Sequence, residues 1–182
     1  MGMAAPLYYT ADMVRAMPDD GNRYEVVYGE LLVTPAPRVW HQILVKRLAA
    51  SLESYLQECQ VGELLTSPAD ISWGPDVLVQ PDVFVAALDE VRTLTWSRVQ
   101  TLLLVAEVSS PSSVRGDRTL KRIRYRAAGV PLYWVVDGDT RSVEVWTPAD
   151  DFPALERRQL RWHPEGATQP FTLDLEELFR PL

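Results

Sequence analysis

Asp82 and Glu107 are two carboxylates at the ends of apolar segments, where paired strands would bring them together. Asp82 precedes the segment VFVAA, and Glu107 ends the segment TLLLVAE. If these segments pair as antiparallel strands, the start of the first lies beside the end of the second. Both carboxylates would then reach one ion, and oxygen ligands without a nearby Cys or His cluster favour Mg²⁺ or Mn²⁺ over Zn²⁺.

The residue after Glu107 extends this candidate metal site. A strand end leaves backbone oxygens free, so the carbonyl of Val108 is a candidate further ligand. A divalent ion held there would polarise a phosphoryl oxygen and lower the pKa of bound water, as the hydrolysis of a phosphodiester requires. The pattern therefore predicts a metal site that works on phosphate.

Such a reaction also needs a cation near the charge that develops on the phosphate. The next side chain on the face of Glu107 along its strand is Ser109, which carries no charge. Lys121 is the alternative, because Asp117, Lys121 and Tyr125 repeat every four residues and share one face of the following helix. We predict Lys121 as the catalytic lysine, whereas Asp117 is either an N-cap or part of the site.

The elements that must position these residues form a mixed α/β pattern. The segments RYEVV and ELLVT flank Tyr28-Gly29 and predict a hairpin. Apolar residues at helical spacing predict an amphipathic helix over residues 41–59. A strand over 101–108, a helix and a strand over 132–136 form a crossover unit, so these two strands should be parallel neighbours.

The crossover helix is expected to begin near Asp117 and to bury Leu120, Ile123 and Ala127. Its polar face, with Lys121, would then turn toward the candidate metal site.

A second Pro-Asp pair, Pro75-Asp76, competes with Pro81-Asp82 for the role of metal ligand. An uninterrupted apolar strand follows Asp82, whereas the segment VLVQ after Asp76 is cut short by Pro81. Asp82 is therefore the preferred ligand.

Length and composition set limits on the class of protein. A chain of 182 residues is long enough for one domain, and we expect a single domain over residues 1–182. No apolar stretch approaches the roughly 18–20 residues that span a bilayer. Residues 1–20 show neither a basic segment nor a continuous apolar one, so we expect no export signal. Cys59 is the single cysteine, so we expect a reducing, cytoplasmic location.

The charge is unevenly distributed. The net charge is −7, which argues against a protein that coats DNA non-specifically. Between residues 115 and 126, however, six basic residues stand against one acid, which leaves +5 in this window and −12 in the rest of the chain. Arg115, Arg118 and Arg122 are thus candidate nucleic-acid contacts.

Several motifs together resemble the Uma-two family of restriction-endonuclease-like proteins, within the PD-(D/E)XK nuclease superfamily. They are PDVFVA, VAEVSSPSS, the D-x-x-x-K-x-x-x-Y repeat and GVPLYWVVD, preceded by RYEVVYGELLVTPAP and a histidine. The resemblance implies a restriction-endonuclease-like core, in which a mixed β-sheet is flanked by helices, with an added N-terminal β-hairpin. It also implies a divalent metal, nucleic acid as the partner, and frequently a homodimer.

Carried over position by position, the resemblance makes Asp82 the metal-binding aspartate and Glu107 the second acid. Lys121 takes the lysine role from a helix, because Ser109 stands where the superfamily usually has lysine on the strand. Glu25 matches the acid of the opening hairpin and would orient metal-bound water, although Glu30 is its rival. His41 matches the family's histidine; it either contacts phosphate or only opens the long helix.

Three functions remain in competition. The first is a Mg²⁺-dependent endodeoxyribonuclease that hydrolyses DNA. The second is an inactive nucleic-acid-binding module that keeps the same fold and the basic helix. The third is a protein-interaction domain, for which exposed tryptophans near Trp73, Trp96 and Trp162 would serve as contacts.

Overall fold

Two β-sheets form the framework of the chain in the computed structural model, which describes residues 8–111 and 113–182. The larger sheet has six strands, in the spatial order β10 (Ala154–Glu156), β9 (Ser142–Trp146), β8 (Tyr133–Asp137), β7 (Leu102–Ser109), β6 (Val83–Ala86) and β3 (Glu63–Thr66). The smaller has four, in the order β2 (Glu30–Thr34), β1 (Arg23–Val27), β5 (Val77–Val79) and β4 (Ile71–Gly74). A separate pair consists of β11 (Gln159–Trp162) and β12 (Phe171–Asp174).

The pairings predicted around the two carboxylates are confirmed. Strands β6 and β7 are antiparallel, with Val83 opposite Ala106, so Asp82 and Glu107 are the next facing positions. Strands β7 and β8 are parallel, as a crossover connection requires. The predicted hairpin is formed by β1 and β2, and its turn residues Tyr28 and Gly29 have positive φ angles, which suit a two-residue hairpin turn.

One face of the larger sheet is covered by the long helix α2 (Val39–Cys59). Its buried residues repeat at helical spacing and pack with Val83, Val85 and Leu104; they are Leu44, Leu48, Leu52 and Leu56. The β11–β12 pair and the short helix α6 (Leu175–Leu178) complete this side of the core. The helical spacing of these leucines thus places them on one face of α2, which packs against the larger sheet.

The opposite face is covered by the smaller sheet and by the helical segment between β7 and β8. That segment comprises α4 (Val114–Gly116), a π-helical turn (Asp117–Lys121) and α5 (Arg122–Ala127). π-helical turns are rare, and those that occur often lie at functional sites. The helix begins three residues before the predicted start at Asp117.

The apolar face predicted for this helix was wrong. Ile123 is 50% exposed and Ala127 is exposed as well, whereas Leu120 is only partly buried. The buried face instead carries Asp117, Lys121 and Tyr125, all polar and all 2% exposed or less. The expectation that apolar side chains form the buried face failed, because these three polar side chains have charged and hydrogen-bonding partners in the interior.

The remaining elements are short. They are α1 (Ala11–Arg15), capped by the side chain of Thr10, α3 (Leu88–Val91) and a 3₁₀ turn over Trp96–Arg98. Trp162 is only 6% exposed and belongs to the core, so its predicted role as an exposed contact was wrong. Trp96 is 44% exposed. Within the described residues, no helix is long and apolar enough to cross a membrane.

Candidate active site

A cleft of about 950 Å³ opens beside the point where β6 begins. Its lining includes Asp82, Arg23 and His41, together with Ser110 from the turn after β7. Glu107 is fully buried and lies behind Asp82 at the facing position of β7. Asp82 therefore lines the cleft, whereas Glu107 lies behind it and does not reach the cleft lining.

Asp82 is held by partners on both carboxylate oxygens. Its Oδ2 accepts a hydrogen bond of 2.8 Å from the backbone N–H of Val108. Its Oδ1 lies 2.6 Å from Nη1 of Arg23 and 3.6 Å from Nε2 of His41. Strand pairing thus fixes one oxygen of Asp82, while two side chains from the cleft contact the other.

Glu107 is held on one oxygen only. Its Oε1 accepts hydrogen bonds from Nζ of Lys121 at 3.0 Å and from the hydroxyl of Tyr125 at 2.9 Å. Its Oε2 is fully buried and has no hydrogen-bond partner. An orphaned carboxylate oxygen in the interior is costly, so this atom marks a place where a cation would bind favourably.

Lys121 reaches the site from the helix, as predicted, and contacts two further carboxylates. Its Nζ lies 2.8 Å from Oε2 of Glu25 and 3.5 Å from Oδ1 of Asp117. Asp117 lies inside the helical segment, where Ser109 donates to its Oδ2, so it is not an N-cap and its side chain joins this buried cluster. Glu25 is fully buried and lies at this cluster, whereas its rival Glu30 is exposed.

The pKa values follow from burial and from these charges. Burial alone would raise the pKa of Asp82, but His41 and Arg23 outweigh it and hold this pKa well below its usual range. Burial raises the pKa of Glu107 to about 8, and the neighbouring charges of Asp82, Asp117 and Glu25 also raise it, against the lowering effect of Lys121. Burial also raises the pKa of Asp117.

Lys121 itself remains charged. Burial would lower the pKa of its ammonium group, yet Glu107, Glu25 and Asp117 outweigh burial and raise this pKa above its ordinary value. Lys121 can therefore stabilise negative charge, and it cannot accept a proton from water at neutral pH.

The cluster contains more acid than base. Four buried carboxylates (Asp82, Glu107, Glu25 and Asp117) face two permanent cations, Arg23 and Lys121. No group of three His, Cys, Asp or Glu side chains is arranged as a ready metal cage in the described part of the chain. A metal would therefore take two carboxylates plus backbone oxygen and water, which is the ligand set that Mg²⁺ commonly uses.

The predicted nucleic-acid contacts are spread over different surfaces. His41 lines the cleft, and Arg115 is exposed. Arg118 lies 2.7 Å from Glu144, and the guanidinium of Arg122 stacks over Trp146 at 4.2 Å from the ring centre. Of the four, only His41 lines the cleft; Arg115, Arg118 and Arg122 do not.

Sequence reasoning missed Arg23. This residue and Glu25 are two positions apart on β1, and residues at that spacing share one face of a strand. The same spacing that points Glu25 into the site therefore also directs Arg23 toward it, and this signal was available in the sequence.

Comparisons with known proteins agree with this architecture. No protein of curated function matches the chain significantly. A protein of Anabaena variabilis ATCC 29413, described as a "putative nuclease belonging to DUF820", has a crystal structure with a TM-score of 0.76 to this chain. The two are 18% identical over 94% of this chain and 97% of the other, which shows a common fold. The family model Uma2, described as "Putative restriction endonuclease", matches residues 11–180. Because this match spans nearly the whole sequence, the chain belongs to the Uma2 family, as its motifs predicted.

Proposed function

We propose that this protein hydrolyses phosphodiester bonds of DNA with a divalent ion, Mg²⁺ or Mn²⁺, held by Asp82, Glu107 and the carbonyl of Val108. The observation that carries the proposal is the buried excess of carboxylates over cations in this cluster. In the metal-free cluster a proton on Glu107, whose pKa is raised to about 8, offsets part of this excess, and a divalent ion would take the place of that proton.

The individual ligands support this assignment. Lys121 and Tyr125 both donate to Oε1 of Glu107 and leave the buried Oε2 without a partner. The N–H of Val108 donates to Asp82. In a β-strand the N–H and C=O of one residue point toward the same neighbouring strand, so the Val108 carbonyl is also directed toward the side on which Asp82 lies. Three oxygen donors of this kind suit a hard cation.

The other residues would act on the phosphate and the water. A bound ion would supply Lewis-acid activation and a lowered pKa for water. Lys121 stabilises the negative charge of the phosphate in the transition state, because it stays protonated. Glu25 contacts Lys121 at 2.8 Å and holds its ammonium in place; we also assign it the orientation of the attacking water.

The cleft is where the nucleic acid would bind. Arg15, Arg38 and His41 line it and can contact backbone phosphates, and the exposed Arg115 would extend the contact. One site per chain cuts one strand, so cleavage of both strands of a duplex calls for a homodimer. Sedimentation of the protein with and without duplex DNA tests this: a monomer in both samples contradicts the dimer.

Cleavage of supercoiled plasmid and of single-stranded DNA, with Mg²⁺ or Mn²⁺ titrated in, tests the proposal. We expect metal-dependent cleavage that Asp82→Asn and Glu107→Gln reduce by at least about a hundredfold. Asp76→Asn is the matched control, because Asp76 belongs to the rival Pro-Asp pair and is bonded to Tyr8 at the surface. No cleavage by the folded wild type, or full activity in Asp82→Asn, contradicts the proposal.

A further inference from the structure

Arg23 occupies the side of Asp82 that faces the cleft. Its Nη1 lies 2.6 Å from Oδ1 of Asp82 and also donates to the backbone carbonyl of Gln80 at 3.2 Å. The other oxygen of Asp82 accepts from the Val108 N–H. Both oxygens are therefore engaged, and Arg23 competes with a metal ion for Oδ1.

The two cations of the cluster differ in their freedom to withdraw. Lys121 is 1% exposed and lies among three carboxylates, which hold it in the interior. The side chain of Arg23 is 19% exposed and lines the cleft. Its Nε has no hydrogen-bond partner and lies 3.7 Å from Glu25, so Arg23 is incompletely satisfied where it is.

We propose that Arg23 is an internal counterion that the divalent ion displaces from Asp82, and that the released guanidinium then binds a phosphate of the nucleic acid in the cleft. This inference rests on the proposed function and extends it to Arg23, a residue to which the sequence analysis assigned no role. Displacement is favourable because the divalent ion brings two charges where Arg23 brought one. A guanidinium at the cleft wall can then form paired hydrogen bonds to phosphate oxygens.

The proposal predicts that one substitution changes the affinities for Mn²⁺ and for DNA in opposite directions. Arg23→Gln removes the competitor, so the affinity for Mn²⁺ should rise by at least about tenfold. The same variant loses the phosphate contact, so its affinity for DNA should fall by at least about tenfold with Mn²⁺ at saturation. A residue that serves only the structure of the site would weaken both affinities together.

Titration calorimetry with Mn²⁺ measures the first effect, and fluorescence anisotropy with a labelled phosphorothioate duplex, which resists hydrolysis, measures the second. Arg180→Gln is the matched control, because Arg180 also has a carboxylate contact of 2.6 Å, to Glu177, but lies outside the cleft lining. We expect Arg180→Gln to change neither affinity.

Two further measurements keep the test decisive. If Arg23→Gln unfolds in chelator, Arg23→Lys should fold and bind Mn²⁺ more tightly than wild type, because lysine cannot contact Asp82 and Gln80 in the same way. Mn²⁺ should also raise the melting temperature of either variant more than that of wild type. An unchanged or weaker Mn²⁺ affinity in folded variants overturns the inference. Absence of Mn²⁺ binding in wild type overturns the proposed function instead.

Discussion

Replacing Lys121 by methionine should be among the most destabilising single changes in this chain. The substitution keeps the length of the side chain but removes the charge that contacts Glu25, Glu107 and Asp117 at 2.8, 3.0 and 3.5 Å. Removing one partner of a buried ion pair costs about 3–5 kcal/mol, because the remaining charge has no compensation. For a domain of this size each kcal/mol lowers the melting temperature by about 2–4 °C, so we expect a decrease of about 6–20 °C.

Urea unfolding and calorimetry in chelator, at pH 5 and pH 8, measure this effect. The destabilisation should be smaller at pH 5, because Glu107, whose folded pKa is near 8, is protonated there and no longer carries a charge that Lys121 compensates. Arg180→Gln is a suitable control: its contact to Glu177 is 2.6 Å, shorter than those of Lys121, but both side chains are more than half exposed. We expect less than about 1 kcal/mol for that surface pair. Equal effects for the two substitutions would refute the claim that burial makes the Lys121 cluster strong.

Three other predictions concern the same site and its supports. In chelator, the free energy of unfolding of wild type should fall relative to that of Glu107→Gln as the pH rises from 5 to 8, by up to about 1.4 kcal/mol per pH unit. The pKa of Glu107 is near 8 in the folded state against an ordinary 4.5, so in this range the folded state keeps a proton that the unfolded state has lost. Equal pH profiles in urea titrations would contradict this. Tyr125→Phe removes the 2.9 Å hydrogen bond to Glu107 and should cost about 1–3 kcal/mol, measured by urea unfolding; no loss would mean that this bond is dispensable. Ile123→Ala should cost less than about 1 kcal/mol and Leu48→Ala about 2–5 kcal/mol by the same measurement. The reason is that Ile123 is 50% exposed whereas Leu48 is fully buried. A larger cost for Ile123→Ala would contradict the exposed position of Ile123 on its helix.

The framework of the fold could be predicted from local pattern. Apolar runs with a turn and a helix between them define the β7–β8 crossover, and the rule that such strands are parallel neighbours needs no further information. The facing positions of Asp82 and Glu107 follow from the same reasoning once β6 and β7 are paired. These features depend on strand order and on burial, which the sequence carries in its apolar segments.

The interior of the site could not be predicted in the same way. The rule that apolar side chains are buried predicted Ile123 to lie inside, yet Ile123 is half exposed. Asp117 and Tyr125 are buried in its place, because they form hydrogen bonds and ion pairs with Lys121, Glu107 and Ser109. Such mutual satisfaction depends on how the helical segment packs on β7, so the apolar pattern of the helix alone does not report it. Arg23 lies 59 positions from Asp82, and their contact depends on how the smaller sheet packs over the larger one.

The central claim is that Asp82 and Glu107 share one divalent ion, and Mn²⁺ binding measured by titration calorimetry tests it most directly. Wild type and the control Asp76→Asn should bind one Mn²⁺ per chain, and Asp82→Asn and Glu107→Gln should lose that binding while circular dichroism shows that they remain folded. Wild-type affinity in either folded variant would contradict the claim.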